Sequence, residues 1–237
     1  FSARYATAIA ADSRACAADL TRYYGIAPDK ITVAYPGPIP SAALAPGRAE
    51  AILGELGLAE RAFVLFVGTL QPRKNLSRLL EAFAAMRGEG EPHRLAIVGQ
   101  EAWMTRPLGE TVRRLRLEDA IVFTGYVDDA DLPALYRGAA AFAYVSIYEG
   151  FGIPVVEALA CGTPVLTSNS GALAEVAGTA ALTCDPVDAD AIADGLRTLL
   201  TDGATRQRLQ QAGPARARTF SHEAMGEAAR QGYRRAL

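Results

Sequence analysis

Cysteine is scarce in this 237-residue chain: the three present, Cys16, Cys161 and Cys184, are far apart and show no C-x-x-C spacing. An odd, scattered set argues against a disulfide framework and fits a reducing cytosol. Histidine is scarcer, with only His93 and His222, so a zinc site has little material. Neither charge sign is in excess: 24 Lys and Arg against 26 Asp and Glu leave −2, which removes the electrostatic footprint of a nucleic-acid binder. Arg206, Arg208, Arg216 and Arg218 recur at helical spacing and read as a solvated face rather than a lipid-binding patch. No apolar run reaches the roughly 18–20 residues that span a bilayer, and no signal peptide is visible. Internal repeats and low-complexity tracts are absent beyond a general richness in alanine. The chain starts at Phe1 rather than Met, which suggests trimming.

Half of the residues are apolar, enough for a sizeable core in one large domain or a domain plus part of another. From Ala62 onward, short apolar runs at 62–68, 94–98, 120–124, 140–145, 164–167 and 180–183 read as strands. Helical patterns at 75–87, 107–117, 131–138, 153–161, 172–177, 188–201, 204–218 and 222–236 alternate with them. The alternation predicts an α/β fold: a doubly wound parallel sheet with helices on both faces. Ahead of it, residues 13–25 read as a helix opened by Ser13 and closed by Gly25, and 30–35 as a short strand stopped by Pro36-Gly37-Pro38.

The densest motif runs from Tyr148 to Gly162, YEGFGIPVVEALACG. Pro154 suits the first turn of a helix, where its missing N–H would be unpaired anyway, and Gly162 suits the position past its end. Gly150 and Gly152 allow close approach to the backbone at a helix start, where free N–H groups and the dipole favour a phosphate. Glu157 interrupts a run of Val, Ala and Leu, and a carboxylate there needs a partner. The blander alternative is an acid near the first turn, worth roughly 0.3–1 kcal/mol from the helix dipole. Arg73 and Lys74 follow a strand and precede a helix; alone, such a pair is more often a solvated loop. The segments 68–75, 99–103, 125–127 and 146–152 all fall at carboxyl ends of expected strands, where open α/β sheets bind ligands. Asp128 and Asp129 could suggest a metal, but a helix N-cap with Asp131 is preferred. Asn169 in Ser168-Asn169-Ser170-Gly171 is expected to cap the next helix. Trp103 covers a pocket edge or simply packs.

Glu149, Gly150, Phe151, Gly152 and Glu157, with Ala158-Leu159-Ala160-Cys161-Gly162-Thr163-Pro164-Val165, resemble the EGFG-x4-E donor signature of retaining GT-B glycosyltransferases, in particular family 4. Residues 66–76, FVGTLQPRKNL, resemble that family's phosphate-binding loop. Ala96-Ile97-Val98-Gly99 with Trp103, then 122–127, resemble its next two strand ends. The matches run in order from about Arg22 to the C-terminus.

The resemblance implies the Rossmann-like C-terminal half of a GT-B fold. Residues 1–43 would be the end of an N-terminal acceptor domain and the linker, 44–221 the nucleotide-sugar-binding domain, and 222–237 a C-terminal helix. Gly68, Thr69, Arg73 and Lys74 would surround the diphosphate, with Lys74 the first choice for neutralising the leaving group. Thr69 stands where many members carry arginine, and Arg73 is the substitute this chain offers. Glu157 would accept hydrogen bonds from ribose hydroxyls. Glu149 would lie by the donor sugar, contacting its hydroxyls or stabilising positive charge at the anomeric carbon, without acting as nucleophile. Backbone at Gly150, Phe151 and Gly152 would hold sugar or phosphate, and Tyr126 and Val127 would face the base, unless Tyr126 is ordinary core or rim.

The whole enzyme would move a hexose from a nucleotide diphosphate sugar to an acceptor hydroxyl with retention, in polysaccharide or lipopolysaccharide-type synthesis. The Gly-Thr-Leu-x-Pro-Arg-Lys-Asn form leans toward GDP-mannose. No metal or cofactor is expected. Expected partners are the nucleotide sugar, a glycan or lipid-linked acceptor and the missing N-terminal domain. The expected location is the cytoplasm, at most peripheral to the inner face of a membrane. The chain alone should be inactive; its last helix is expected to pack back on the N-terminal domain in the intact protein and here to expose Met225, Ala228, Ala229 and Tyr233 unless it refolds or dimerises. A sugar-nucleotide epimerase and a non-catalytic nucleotide-binding module are the rivals. A dinucleotide oxidoreductase would want G-x-G-x-x-G where Gly68-Thr69-Leu70-Gln71 stands.

Overall fold

The computed structural model describes residues 2–38, 44–88, 90, 92–99 and 105–236. The chain opens with a single helical turn α1 (Ser2–Tyr5), strand β1 (Ile9–Ala11), helix α2 (Arg14–Tyr24) and strand β2 (Ile31–Val33). Ser13 caps α2 by accepting from the Cys16 N–H at 3.0 Å, and Gly25 ends it in the left-handed conformation. The strands β1 and β2 pair in parallel, with Ile9 opposite Ile31 and Ala11 opposite Val33. Helix α3 (Arg48–Glu55), with Ile52 and Leu53 buried, was not expected from the sequence. Its apolar face spans too few residues for a clear period.

The main sheet follows. Strands β3 (Phe63–Val67), β4 (Arg94–Val98), β5 (Ile121–Gly125), β6 (Ala141–Tyr144), β7 (Val165–Ser168) and β8 (Leu182–Cys184) are all parallel, in the order β5-β4-β3-β6-β7-β8. Every residue of β3, β6 and β7 is buried, as expected of strands covered on both faces. Between them run α4 (Leu76–Gly88), α5 (Thr105–Arg114), α6 (Leu132–Gly138), α7 (Ile153–Ala160), α8 (Gly171–Ala177), α9 (Ala189–Thr201), α10 (Gly203–Ala217) and α11 (His222–Ala236). Helix α4 packs with α5 and α9, whereas α7 packs with α6, α8 and α10 and α3 packs on α6, which gives the two helical layers of the doubly wound fold. Strand order reverses between β3 and β6, so the loops leaving these two strands flank the crevice where such folds bind ligands.

Three expectations are corrected. Asp131 occupies the residue before α6 but makes no side-chain cap; Arg48 holds its carboxylate, with Nη2 to Oδ2 at 2.6 Å and Nε to Oδ1 at 3.2 Å. The Asp128 carbonyl accepts from the N–H groups of Asp131 and Leu132 at 2.8 and 3.1 Å, so Asp128 closes this turn through its backbone. Asn169 does not cap α8: the preceding position is Ser170, without a side-chain cap, and the Asn169 N–H instead bonds the Cys184 carbonyl at 2.9 Å. Finally, α11 packs on β2 with Met225, Ala228 and Ala229 half-buried, leaving only Tyr233 of the expected stripe well exposed, at 72%. The small parallel sheet, built from the N-terminal residues of this chain, supplies the cover.

Candidate functional site

Beyond β3 the chain turns at Gly68, whose φ of +153° disfavours a side chain, and enters a 3-10 turn over Pro72–Lys74. Asn75 ends that turn in the left-handed region at φ +61°. Its buried Nδ2 donates to the Val145 carbonyl at 3.0 Å and the Pro186 carbonyl at 2.6 Å. The Ile147 N–H donates to the Arg73 carbonyl at 2.8 Å. The two loops at the reversal point are therefore stitched together through their backbones.

This stitching brings together three of the residues singled out in the sequence. Glu149 Oε1 accepts from Lys74 Nζ at 2.7 Å, and Oε2 accepts from Arg73 Nη1 at 2.6 Å. Lys74 also donates to the Tyr144 hydroxyl, which donates in turn to Glu149 Oε1 at 3.1 Å. Burial alone would raise the Glu149 carboxyl, but the bonds from Lys74 and Arg73 outweigh it and hold the group below its ordinary range. Burial pushes the Lys74 ammonium below its ordinary value, with Glu149 opposing that shift and Arg73 adding to it. The two cations are not equivalent: Lys74 is 7% exposed, whereas the Arg73 side chain is 45% exposed. Of the two cations, Arg73 is the one open to solvent.

Around this cluster, the Gly150 carbonyl accepts from the Cys16 thiol at 3.2 Å. Phe151 is buried, with its ring centroid 5.9 Å from Tyr35 and 5.3 Å from Phe220. Gly152 precedes α7 at φ +119°, and a Cβ there would lie 2.7 Å from Leu173 Cδ2. Thr69 is exposed beside the half-buried Gly68. Tyr126 is 61% exposed, while Val127 packs against the core. Trp103 lies outside the described residues.

Glu157 sits in the second turn of α7 and not with the others. Its Oε2 accepts from the Tyr136 hydroxyl at 2.9 Å, which supplies the partner its apolar setting demands. Burial raises its carboxyl; the Tyr136 bond opposes this and Asp129 reinforces it. It lines a cavity of about 390 Å³ with Leu132, Pro133, Tyr136, Cys161 and Phe220. Arg73, Lys74 and Glu149 do not line that cavity. Sequence reasoning missed Tyr136, Tyr144 and Asn75. The available signal was the need of any buried phenol or carboxamide for partners, which marks such residues without saying whom they meet. Among the described residues no group of three or more His, Cys, Asp and Glu side chains could hold a metal ion.

Residues 50–216 match the family model of the glycosyl transferases group 1. The chain belongs to that family. It is 40% identical over 179 residues to the O-antigen chain mannosyltransferase B of Escherichia coli, covering 75% of this chain and 47% of that protein. It is 33% identical over 230 residues to a D-inositol 3-phosphate glycosyltransferase of Kribbella flavida, covering 92% of this chain and 54% of the relative. The chain thus spans about half the length of these glycosyltransferases. The solved structure of Anabaena Alr3699/HepE in complex with UDP and glucose superposes with a TM-score of 0.84, at 22% identity, covering 97% of this chain and 63% of that one. The α/β fold of this group 1 chain is that of GT-B glycosyltransferases. Among the described residues, no helix is long and apolar enough to cross a membrane.

Proposed function

We propose that this chain is the donor-binding part of a retaining hexosyltransferase that takes a nucleotide diphosphate sugar, with GDP-mannose the first donor to test. The observation that carries the reading is the Arg73–Glu149–Lys74 cluster at the point where strand order reverses. Two cations and one carboxylate leave a net positive charge for a diphosphate, and Arg73 is exposed enough to meet it. As the bond to the sugar breaks, negative charge grows on the leaving phosphate and Arg73 offsets it, with Lys74 acting from beneath. Glu149 is kept ionised by both cations, which suits it to stabilise positive charge at the anomeric carbon or to accept from sugar hydroxyls. With both carboxylate oxygens engaged, it is a poor nucleophile.

Glu157, beside its cavity, accepts from ribose hydroxyls in this reading, and Gly68, Thr69, Tyr126, Val127 and the backbone of 150–152 complete the donor contacts. The chemistry needs no metal or cofactor. Residues 1–43 end an acceptor-binding domain, 44–221 bind the donor and 222–237 form a returning helix. The acceptor is a glycan or lipid-linked glycan, met in the cytoplasm at or near the membrane, and the chain alone is inactive because nothing positions that acceptor. The mannosyltransferase relatives favour mannose and an O-antigen-type product.

Thermal shifts with UDP, GDP, ADP and their hexose conjugates test this. At 100 times the dissociation constant a ligand adds about 2.7 kcal/mol of stability. A shift with one nucleoside diphosphate, lost in both Arg73→Ala and Glu157→Ala, is the expected result. A shift that survives Arg73→Ala would place the diphosphate elsewhere and refute the assignment.

A further inference from the structure

One buried titratable group has no part in the donor reading above, although it sits within its cation cluster. Tyr144 is the last residue of β6 and fully buried. Its ring stacks between Phe66 and Phe142, at centroid distances of 5.7 and 5.8 Å, which fixes where its hydroxyl can be. That hydroxyl accepts from Lys74 Nζ and donates to Glu149 Oε1. Lys74 Nζ also lies 4.7 Å from the centre of the same ring. Two residues further on, the Ser146 side chain is buried as well. Apart from Ser146, the groups facing the ammonium are thus Glu149, Arg73 and the Tyr144 phenol.

We propose that Tyr144 is a positioning residue for the donor's diphosphate, which holds Lys74 as a buried cation and aligns it with Glu149 beneath Arg73. The inference rests on the donor reading above. A buried ammonium survives only while its donors are satisfied. Glu149 satisfies one of them, and the phenol oxygen another. Burial already pushes the Lys74 ammonium toward its neutral form, and a neutral amine would neither offset phosphate charge nor hold Glu149. Burial beside Glu149 also pushes the Tyr144 phenol far above its ordinary range, so it remains a neutral donor and acceptor throughout the working pH range.

The chain contains only two lysines, Lys30 and Lys74, so lysine labelled with carbon-13 at Cε gives a direct view of the second. The Lys74 signal, assigned with Lys74→Arg, is followed by NMR from pH 6 to 11 in the wild-type chain and in Tyr144→Phe, with and without GDP or UDP. Tyr144→Phe keeps the ring stack and removes one oxygen; if it does not fold, Tyr144→Met serves instead. The expected result is a Lys74 titration midpoint at least one unit lower in the variant, a tenfold change in its acidity. The alkaline limb of nucleotide binding should move down by the same amount. An unchanged midpoint would overturn the positioning role and leave the donor reading intact. If the midpoint moves but neither nucleotide perturbs the Lys74 signal in the wild-type chain, the donor reading fails and the positioning role with it.

Discussion

Glu149 and Glu157 are eight residues apart on one loop and helix, yet their environments drive them in opposite directions. Glu149 is held below its ordinary range, so its contribution to stability is complete above the unfolded carboxyl value of about 4.3 and lost as pH falls through the lower folded value. Urea midpoints of wild-type and Glu149→Gln chains should therefore differ most near pH 7 and converge only as pH falls below the lowered folded value, the neutral-pH gap being about 2 kcal/mol for a buried charged bond. A gap that is constant with pH would contradict this account. Glu157 behaves in the reverse sense: burial raises it, so the folded chain loses stability as pH rises through its folded value. Glu157→Gln, which can still accept from the Tyr136 hydroxyl and removes the buried charge, should leave the urea midpoint at pH 7 unchanged or raised. If the proposed donor reading holds, nucleotide affinity should fall all the same, because a neutral amide is the weaker acceptor for ribose hydroxyls.

Residue types were readable where the chemistry requires charge, and unreadable where partners come from distant elements. Arg73, Lys74 and Glu149 stood out as charges at strand ends. That Lys74 is buried and Arg73 exposed follows from the 3-10 turn and from the Asn75 bonds to Val145 and Pro186, which join segments far apart in sequence. Tyr144 looked like one more apolar strand residue.

Among the elements, the six strands of the main sheet were legible because strands buried on both faces are short continuous apolar runs. Strand β1 was not, since Ile-Ala-Ala is too short and too rich in alanine to carry a strand signal. Helix caps were legible at Ser13, whose hydroxyl caps locally, and misread at Asp131, whose carboxylate has a better partner in Arg48. The start of α2 has a further partner that no local pattern could disclose. Glu175 on α8 accepts from the Arg14 and Ala15 N–H groups, each at 3.2 Å, and from the Tyr35 hydroxyl. Glu175→Ala should cost about 1 kcal/mol, the usual loss for a helix cap, and should speed amide exchange in α2 more than in α8. Equal acceleration in both helices would mean that Glu175 supports α8 rather than clamping α2. Gly152→Ala is a sharper local test. It combines a φ of +119° with a Cβ only 2.7 Å from Leu173, so a loss of about 1–3 kcal/mol is expected from overpacking alone, read as a lowered urea midpoint.

At the scale of the whole molecule, the described residues form two separate apolar cores. The larger spans the six-stranded sheet and its helices; in the smaller, only Ala11, Ile26 and Ile31 are fully buried. The sequence suggested a boundary through its Pro-rich segment, but strand order and the return of α11 to β2 depend on long-range packing that no local pattern records. A two-stranded sheet with so little core is marginal by itself, so its order must come from α11 and from the contact of α2 with α8. Such a layer should open before the rest. In hydrogen exchange at rising urea, amides of β1, α2, β2 and α11 are expected to lose protection together, at concentrations where β3, β6 and β7 are still fully protected. If the donor-binding reading holds, a saturating nucleotide should delay the loss of the main sheet while leaving the opening of the small layer nearly unchanged, because the Arg73–Glu149–Lys74 cluster belongs wholly to the larger unit. A single transition for all these strands would instead mean that the Glu175 clamp and the Tyr35–Phe151–Phe220 contacts bind the two cores into one cooperative unit.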